Sequence, residues 1–197
     1  MQSILVIIMT LLSVLLSASC SKLTYSHADP GKFEGSLEIR WVKPDRFLYV
    51  PNQENPLRFT TSDRRVIVPR KMYTDGGSIP RLFWGIPGYS PWGYAPAYII
   101  HDWLFEAHHC DVPEYRDISF DRSADILAEG IKTLMETDVA PKDETTLWTI
   151  YEAVKSPIAK SVWDMPESCS LPKETRELLQ PRGELLFTIS IENLPKR

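Results

Sequence analysis

Tyr73-Thr-Asp-Gly-Gly-Ser-Ile-Pro80 and, about twenty residues later, Ala97-Tyr-Ile-Ile-His-Asp-Trp-Leu104 mark the point where this chain changes its period. Before them apolar residues alternate as in half-buried strands: Phe33 to Val42, Phe47-Leu-Tyr-Val50, Leu57-Arg-Phe-Thr60 and Val66-Ile-Val68, with Pro, Asn and Asp between. Four short strands joined by turns predict an antiparallel meander. After Pro80 the spacing turns helical. Tyr94 to His108 places Ala97, Ile100, His101, Leu104, Phe105 and His108 on one face. Ala124, Leu127, Ala128, Ile131 and Leu134 repeat that spacing in a second helix, for which Ser119 or Asp121 is the cap. A third helix is expected from Glu144 to Trp163, broken or kinked at Pro157, because proline removes a hydrogen bond and clashes with the preceding turn. Glu184 to Ile191 reads as a strand that returns to the sheet. The class is α+β: one short antiparallel sheet against about three helices, in a single domain.

The first residues say where such a domain works. Ile4 to Leu16 is almost uninterruptedly apolar, gives way to Ser17-Ala18-Ser19 and meets Cys20, the outline of an export signal. The run falls short of the roughly 20 apolar residues that span a bilayer. Small residues before a cysteine resemble a bacterial lipoprotein signal, in which Cys20 becomes the lipid-bearing (palmitate) amino terminus. Met1-Gln2-Ser3 lacks Lys and Arg, and Ser17 stands where a large aliphatic residue is usual. Ordinary secretory cleavage near the same bond is the alternative. The expected organisation is a signal over 1–19, a tether over 20–32 and one domain over 33–197. Ser21 resembles the outer-membrane sorting pattern, which implies the periplasmic face of the outer membrane, with secretion as the alternative.

The three cysteines fit this setting. With Cys20 consumed by lipid, Cys110 and Cys169 remain as one possible disulfide pair in an oxidising compartment; two unpaired buried thiols are the alternative. Neither has a CxxC neighbour, so nothing supports a thiol redox site or zinc ribbon. A net charge of −4, with Lys and Arg mixed among Asp and Glu, gives no basic stripe and argues against nucleic acid as a partner. Sixteen prolines and six tryptophans suit a compact chain with many fixed turns.

The two opening stretches concentrate groups that move protons or hold ions. His101 is expected to be buried and to need partners for its ring nitrogens, with Asp75 as the candidate, since Gly76-Gly77 allows close backbone approach. Asp102, about 100° around the helix, is expected on its flank. Asp121 and Asp125 lie one turn apart on the next helix. Three readings follow. In the structural one, Asp75, Ser78 and His101 staple the turn to the helix. In the second, Asp75, His101, Asp102 and Asp125 hold one divalent metal ion that activates water, a hard ion in preference to zinc. Its metal-free form makes Ser78 the nucleophile, His101 the base and Asp75 or Asp102 the orienter, although the glycine that would follow the serine in a nucleophile elbow is missing. In the third, the aromatic loop Trp84-Gly-Ile-Pro-Gly-Tyr-Ser-Pro-Trp-Gly-Tyr94, through Trp84, Tyr89 and Trp92, binds a partner. The loop closing over the core is its alternative. His108 and His109 read as a solvated helix end.

Thr74-Asp-Gly-Gly-Ser-Ile-Pro80 with Arg81 and Trp84, then His101-Asp-Trp-Leu104, then Asp125 resemble domain-of-unknown-function family 1353, over roughly Phe33 to Trp163. The chain departs from that pattern at Gly77, where alanine is usual, and at Phe105, where tyrosine is usual. The resemblance implies a fold and a kinship with bacteriophage, prophage and bacterial proteins, and no activity. For a phage-related envelope lipoprotein it leaves two kinds of role: an envelope hydrolase, or a module that binds an envelope or phage protein and excludes superinfection.

Overall fold

The computed structural model describes residues 24–43, 46–76, 93–165, 169, 171 and 184–191. Its strands are β1 (Lys32–Glu34), β2 (Ser36–Lys43), β3 (Arg46–Pro51), β4 (Arg58–Thr60), β5 (Val66–Ile67), β6 (Met72–Thr74) and β7 (Glu184–Ser190). They form two antiparallel sheets, ordered β1-β4-β5 and β6-β3-β2-β7. The helices are α1 (Ala95–His109), α2 (Phe120–Glu136), α3 (Glu144–Val154) and α4 (Pro157–Trp163). The molecule is a single α+β domain.

The expected single meander is divided, and the division falls at Gly35. That residue has φ +91°, and a Cβ there would lie 2.1 Å from the Pro56 carbonyl oxygen. A left-handed residue in mid-strand turns the chain, so Phe33 enters the small sheet and Leu37 the large one. In the large sheet Leu37 opposes Pro51 and Ile189, and Ile39 opposes Tyr49 and Phe187. Leu37, Ile39 and Tyr49 are wholly buried. Glu38 and Arg40 point the other way and pair at 2.7 Å. The C-terminal strand does return to the sheet, as the edge partner of β2.

α1 packs against both α2 and β6. It is covered on more than one face, since Ile99 and Trp103 are buried along with Ala97, Ile100, His101 and Leu104, while Phe105 is half-buried and His108 exposed. A helix apolar nearly all round belongs in the interior, so the single face read from spacing is too narrow. α2 approaches α1 closely at Gly130, where a Cβ would lie 3.1 Å from the Ala97 Cβ. Ser119 caps α2 by accepting the Arg122 N–H, and Asp143 caps α3 by accepting the Thr146 N–H. Of the two expected forms of the third helix, the broken one is found, divided at Pro157 into α3 and α4. Ser156 accepts the Ala159 N–H at 3.2 Å and Pro157 takes the first helical position, so Ser-Pro restarts a helix here rather than kinking one.

Part of the expected tether is docked. Residues 24–27 are helical and Tyr25 is buried. The Tyr25 hydroxyl donates to Glu136, and Lys132 Nζ donates to the Tyr25 carbonyl at 2.8 Å while lying 4.6 Å from the ring centre. Gly31 N–H donates to Thr133 Oγ1 at 2.8 Å. One aromatic ring with a polar tip is enough to fix a polar segment onto α2. Cys110, just past α1, is disulfide-bonded to Cys169, with 4.8 Å between their Cα atoms.

Candidate functional site

The two conspicuous sequence stretches meet through a residue that neither proton chemistry nor metal binding brings to mind. β6 alternates, burying Met72 and Thr74 and leaving Tyr73 half-exposed. Thr74 therefore faces α1, and its hydroxyl donates to Asp102 Oδ2 at 2.6 Å. Thr74 Oγ1 in turn accepts the Gly76 N–H at 2.9 Å, which closes the turn after the strand. Gly76, at φ +92°, supplies the left-handed step. Asp75, the next residue along, is exposed.

Asp102 and Asp75 are neighbours in charge as well as in space. Burial first, then the Asp75 charge, pushes the Asp102 carboxyl well above the usual carboxylate range. The Thr74 hydrogen bond pulls the other way, and Glu106 adds a further push upward. A carboxyl so placed keeps its proton to a higher pH than an ordinary aspartate and can act as a proton donor.

His101 does not join this pair. It is 4 % exposed, and its Nε2 has no hydrogen-bond partner among the described residues. Its ring lies 4.9 Å from that of Phe105. Burial lowers its pKa to about 4, so the imidazole is neutral at neutral pH. The expected His101–Asp75 contact is thus replaced by the Thr74–Asp102 bond, because Asp102, one residue on, is the one that α1 turns towards β6.

Asp125 stands elsewhere. It accepts the Tyr151 hydroxyl at 2.8 Å and lines a polar cavity of about 440 Å³ with His27, Asp29, Ser62, Arg122 and Glu129. Glu129, 4 % exposed, accepts from Arg122 at 2.6 Å and from the Ser62 N–H at 2.9 Å. Asp121, expected beside Asp125, meets Lys155 at 3.4 Å. The set Asp75, His101, Asp102 and Asp125 is not gathered into one ligand shell, and among the described residues no three His, Cys, Asp or Glu side chains converge as a metal site would need. The cause is helical geometry: consecutive residues on α1 diverge by about 100°, and α2 turns Asp125 towards α3.

The histidines at the end of α1, exposed at His108 and half-buried at His109, also make contacts with α4. His108 stacks on Trp163 with centroids 4.1 Å apart, and His109 Nε2 lies 3.0 Å and 3.2 Å from the carbonyl oxygens of Val162 and Trp163. They hold the C-terminal end of α4. Cys20, Ser78, Arg81, Trp84, Tyr89 and Trp92 lie outside the described residues. Thr74, Arg122, Glu129 and Tyr151 were not singled out from sequence. Sequence carries no signal for Thr74, because three residues are too few to read as a strand and its alternation with Tyr73 shows only once β6 pairs with β3.

The protein family described as "Protein of unknown function (DUF1353)" matches residues 53–154, a span that contains Thr74, Asp75, His101, Asp102 and Asp125. No curated protein and no solved structure is significantly similar to the chain.

Proposed function

Since the chain belongs to the DUF1353 family, whose description assigns no activity, we propose a function from its own residues: an exported, envelope-tethered hydrolase in which Asp102 and Asp75 form an acid–base pair. The observation that carries this reading is the Asp102 carboxyl, held by Thr74 and raised well above the usual carboxylate range by burial and by the Asp75 charge. Two carboxylates in unlike surroundings, one half-buried against β6 and one exposed, divide into acid and base. Asp75 accepts a proton from water as its oxygen attacks the electrophilic carbon. Asp102 gives its proton to the leaving oxygen or nitrogen as that bond breaks, and exchange with solvent restores both groups. Esters, amides and glycosides of the cell envelope are the substrate class, a choice supported by the leader ending at Cys20 and by the Cys110–Cys169 bridge, which suits an oxidising compartment. Lipid on Cys20 tethers the domain to the membrane, and labelled palmitate should enter the parent and not Cys20→Ala.

The test of the pair combines titration with turnover. Carbon-13 NMR of aspartate-labelled protein should show Asp102 titrating well above an ordinary aspartate, and Asp75→Asn should move that titration down. In a panel of envelope esters, amides and glycosides, Asp102→Asn and Asp75→Asn should each lower turnover by about 10²-fold or more while circular dichroism is unchanged. An ordinary titration of Asp102, or full turnover in Asp102→Asn, refutes the assignment.

A further inference from the structure

The polar cavity at Asp125, of about 440 Å³, takes no part in the Asp102–Asp75 reading, since neither of those residues lines it. The docked segment 24–29, Ser62 between β4 and β5, α2 and α3 all contribute to its walls. Their charges are already fixed in place. Glu129, 4 % exposed, accepts from Arg122 Nη1 on one oxygen and from the Ser62 N–H on the other. Arg122 Nη2 also meets Asp63 at 3.0 Å. A guanidinium carries five N–H groups, so these two partners leave it donors to spare. Asp125 gives Oδ1 to the Tyr151 hydroxyl at 2.8 Å, whereas no described group bonds its Oδ2, and that oxygen keeps accessible surface. His27, Asp29 and Ser62, which also line the cavity, are exposed. Donors and acceptors thus stand together on side chains that their neighbours hold still.

That mixture decides the chemistry of a ligand. An ammonium group has three donors and no acceptor, so it would leave Arg122 unanswered. A phosphate or carboxylate has acceptors alone and would meet Asp29, Asp125 and Glu129 at their own sign of charge. An apolar molecule would strand all of these groups without water or a partner. A hydroxyl both donates and accepts, and several on one rigid ring can answer Arg122, Asp125 and Ser62 at once. At about 30 Å³ for each water-sized unit, the volume holds roughly fifteen non-hydrogen atoms, the size of one sugar ring with its substituents. We propose that this cavity binds one neutral sugar ring, free or at the end of a glycan, with its hydroxyls on Arg122 and Asp125. The proposal does not depend on the Asp102–Asp75 reading, and either can fail alone.

The test compares glucose, galactose and mannose with the amino sugar and the uronate of each, which keep the ring and add a positive or a negative charge. In the disulfide-intact full chain, labelled with nitrogen-15 and held in a detergent without a sugar headgroup, at least one neutral sugar should shift the amides of Ser62, Asp125 and Glu129 saturably at millimolar concentration. Its amino sugar and uronate should bind about tenfold more weakly. Asp125→Ala should lower the affinity about tenfold or more, the worth of a hydrogen bond to a charged group. Ser62→Tyr fills the space from an exposed position, leaves the main-chain bond to Glu129, and should bind none of the sugars. Both variants should keep the parent circular dichroism. Equal binding of the sugar and its methyl glycoside places the ring at the end of a glycan, and binding of the free sugar alone marks a monosaccharide ligand. No saturable shift with any neutral sugar, tighter binding of the charged forms, or undiminished binding in both variants overturns the proposal.

Discussion

His101 and Asp102 are consecutive on α1, and burial moves both towards their neutral forms, which gives the protein two opposed sensitivities to pH over overlapping ranges. Asp102 has a raised folded pKa, whereas the unfolded chain releases that proton near 4. Between those values the native state holds more protons than the unfolded state, so this group's contribution to stability falls as pH rises. His101 has a lowered folded pKa, about 4 against an ordinary 6.5. Between those values the unfolded state holds more protons, so its contribution falls as pH falls. Urea unfolding at stepped pH should therefore show that Asp102→Asn lessens the loss of stability as pH rises from about 4 to about 8, and that His101→Phe lessens the loss as pH falls from 6.5 to about 4. A His101→Phe protein with the parent's acid sensitivity would contradict the buried, neutral imidazole. These residues were legible in sequence as a polar cluster, but their pairing was not. Helical spacing said that His101 faces inward; it did not say that the core on that side is apolar and that the turn after β6 meets its neighbour instead. That depended on which side of α1 the strand packs against, a tertiary fact.

At the level of elements, period carried most of the reading. α1 and α2 begin within a residue or two of where their spacing and caps place them, and β7 lies where the last apolar alternation does. The failures have local causes. Met72-Tyr73-Thr74 is too short a run to read as a strand, and it pairs with β3 only because Phe47 and Tyr49 lie opposite Thr74 and Met72. Gly35 sits inside an alternating run, where a glycine signals either a weak strand or a bend; its contact with Pro56 decides for the bend. The same contact makes a prediction. Gly35→Ala forces a Cβ to within 2.1 Å of backbone oxygen at a φ of +91°, and neither sheet can shift without disturbing the other. Its cost should be about 2–4 kcal/mol, read as a lower urea midpoint. Loss at this one position should weaken both sheets together, so protection from hydrogen exchange should fall at Phe59 of β4 and at Ile39 of β2 alike. A drop confined to one sheet would show that the two do not depend on the same turn.

Taken whole, the chain after α1 is tied back to the end of that helix by the disulfide. Cys110 ends the central helix, and Cys169 follows α4 on the way to β7. The enclosed loop spans a separation of 59 residues and contains α2, α3 and α4. Closing such a loop removes freedom from the unfolded chain worth about 4 kcal/mol in the chain-entropy treatment. Two other contacts bind the same region in the folded state: His108 stacked on Trp163, and His109 held to the carbonyls at the end of α4. Because these do not involve sulfur, the fold should survive loss of the bridge while its margin shrinks. A Cys110→Ala/Cys169→Ala protein should keep the parent's far-ultraviolet circular dichroism and unfold at a temperature lower by about 8–16 °C, at some 2–4 °C per kcal/mol for a domain of this size. Reduction of the parent should give the same shift, since the entropy released is the same. If the reduced parent loses stability and the double variant does not, the loss comes from the freed thiols themselves and not from the entropy of the opened loop. If both lose α4 selectively, seen as exchange at Trp163 without exchange at Leu127, the disulfide and the histidine contacts act as one clasp on that helix.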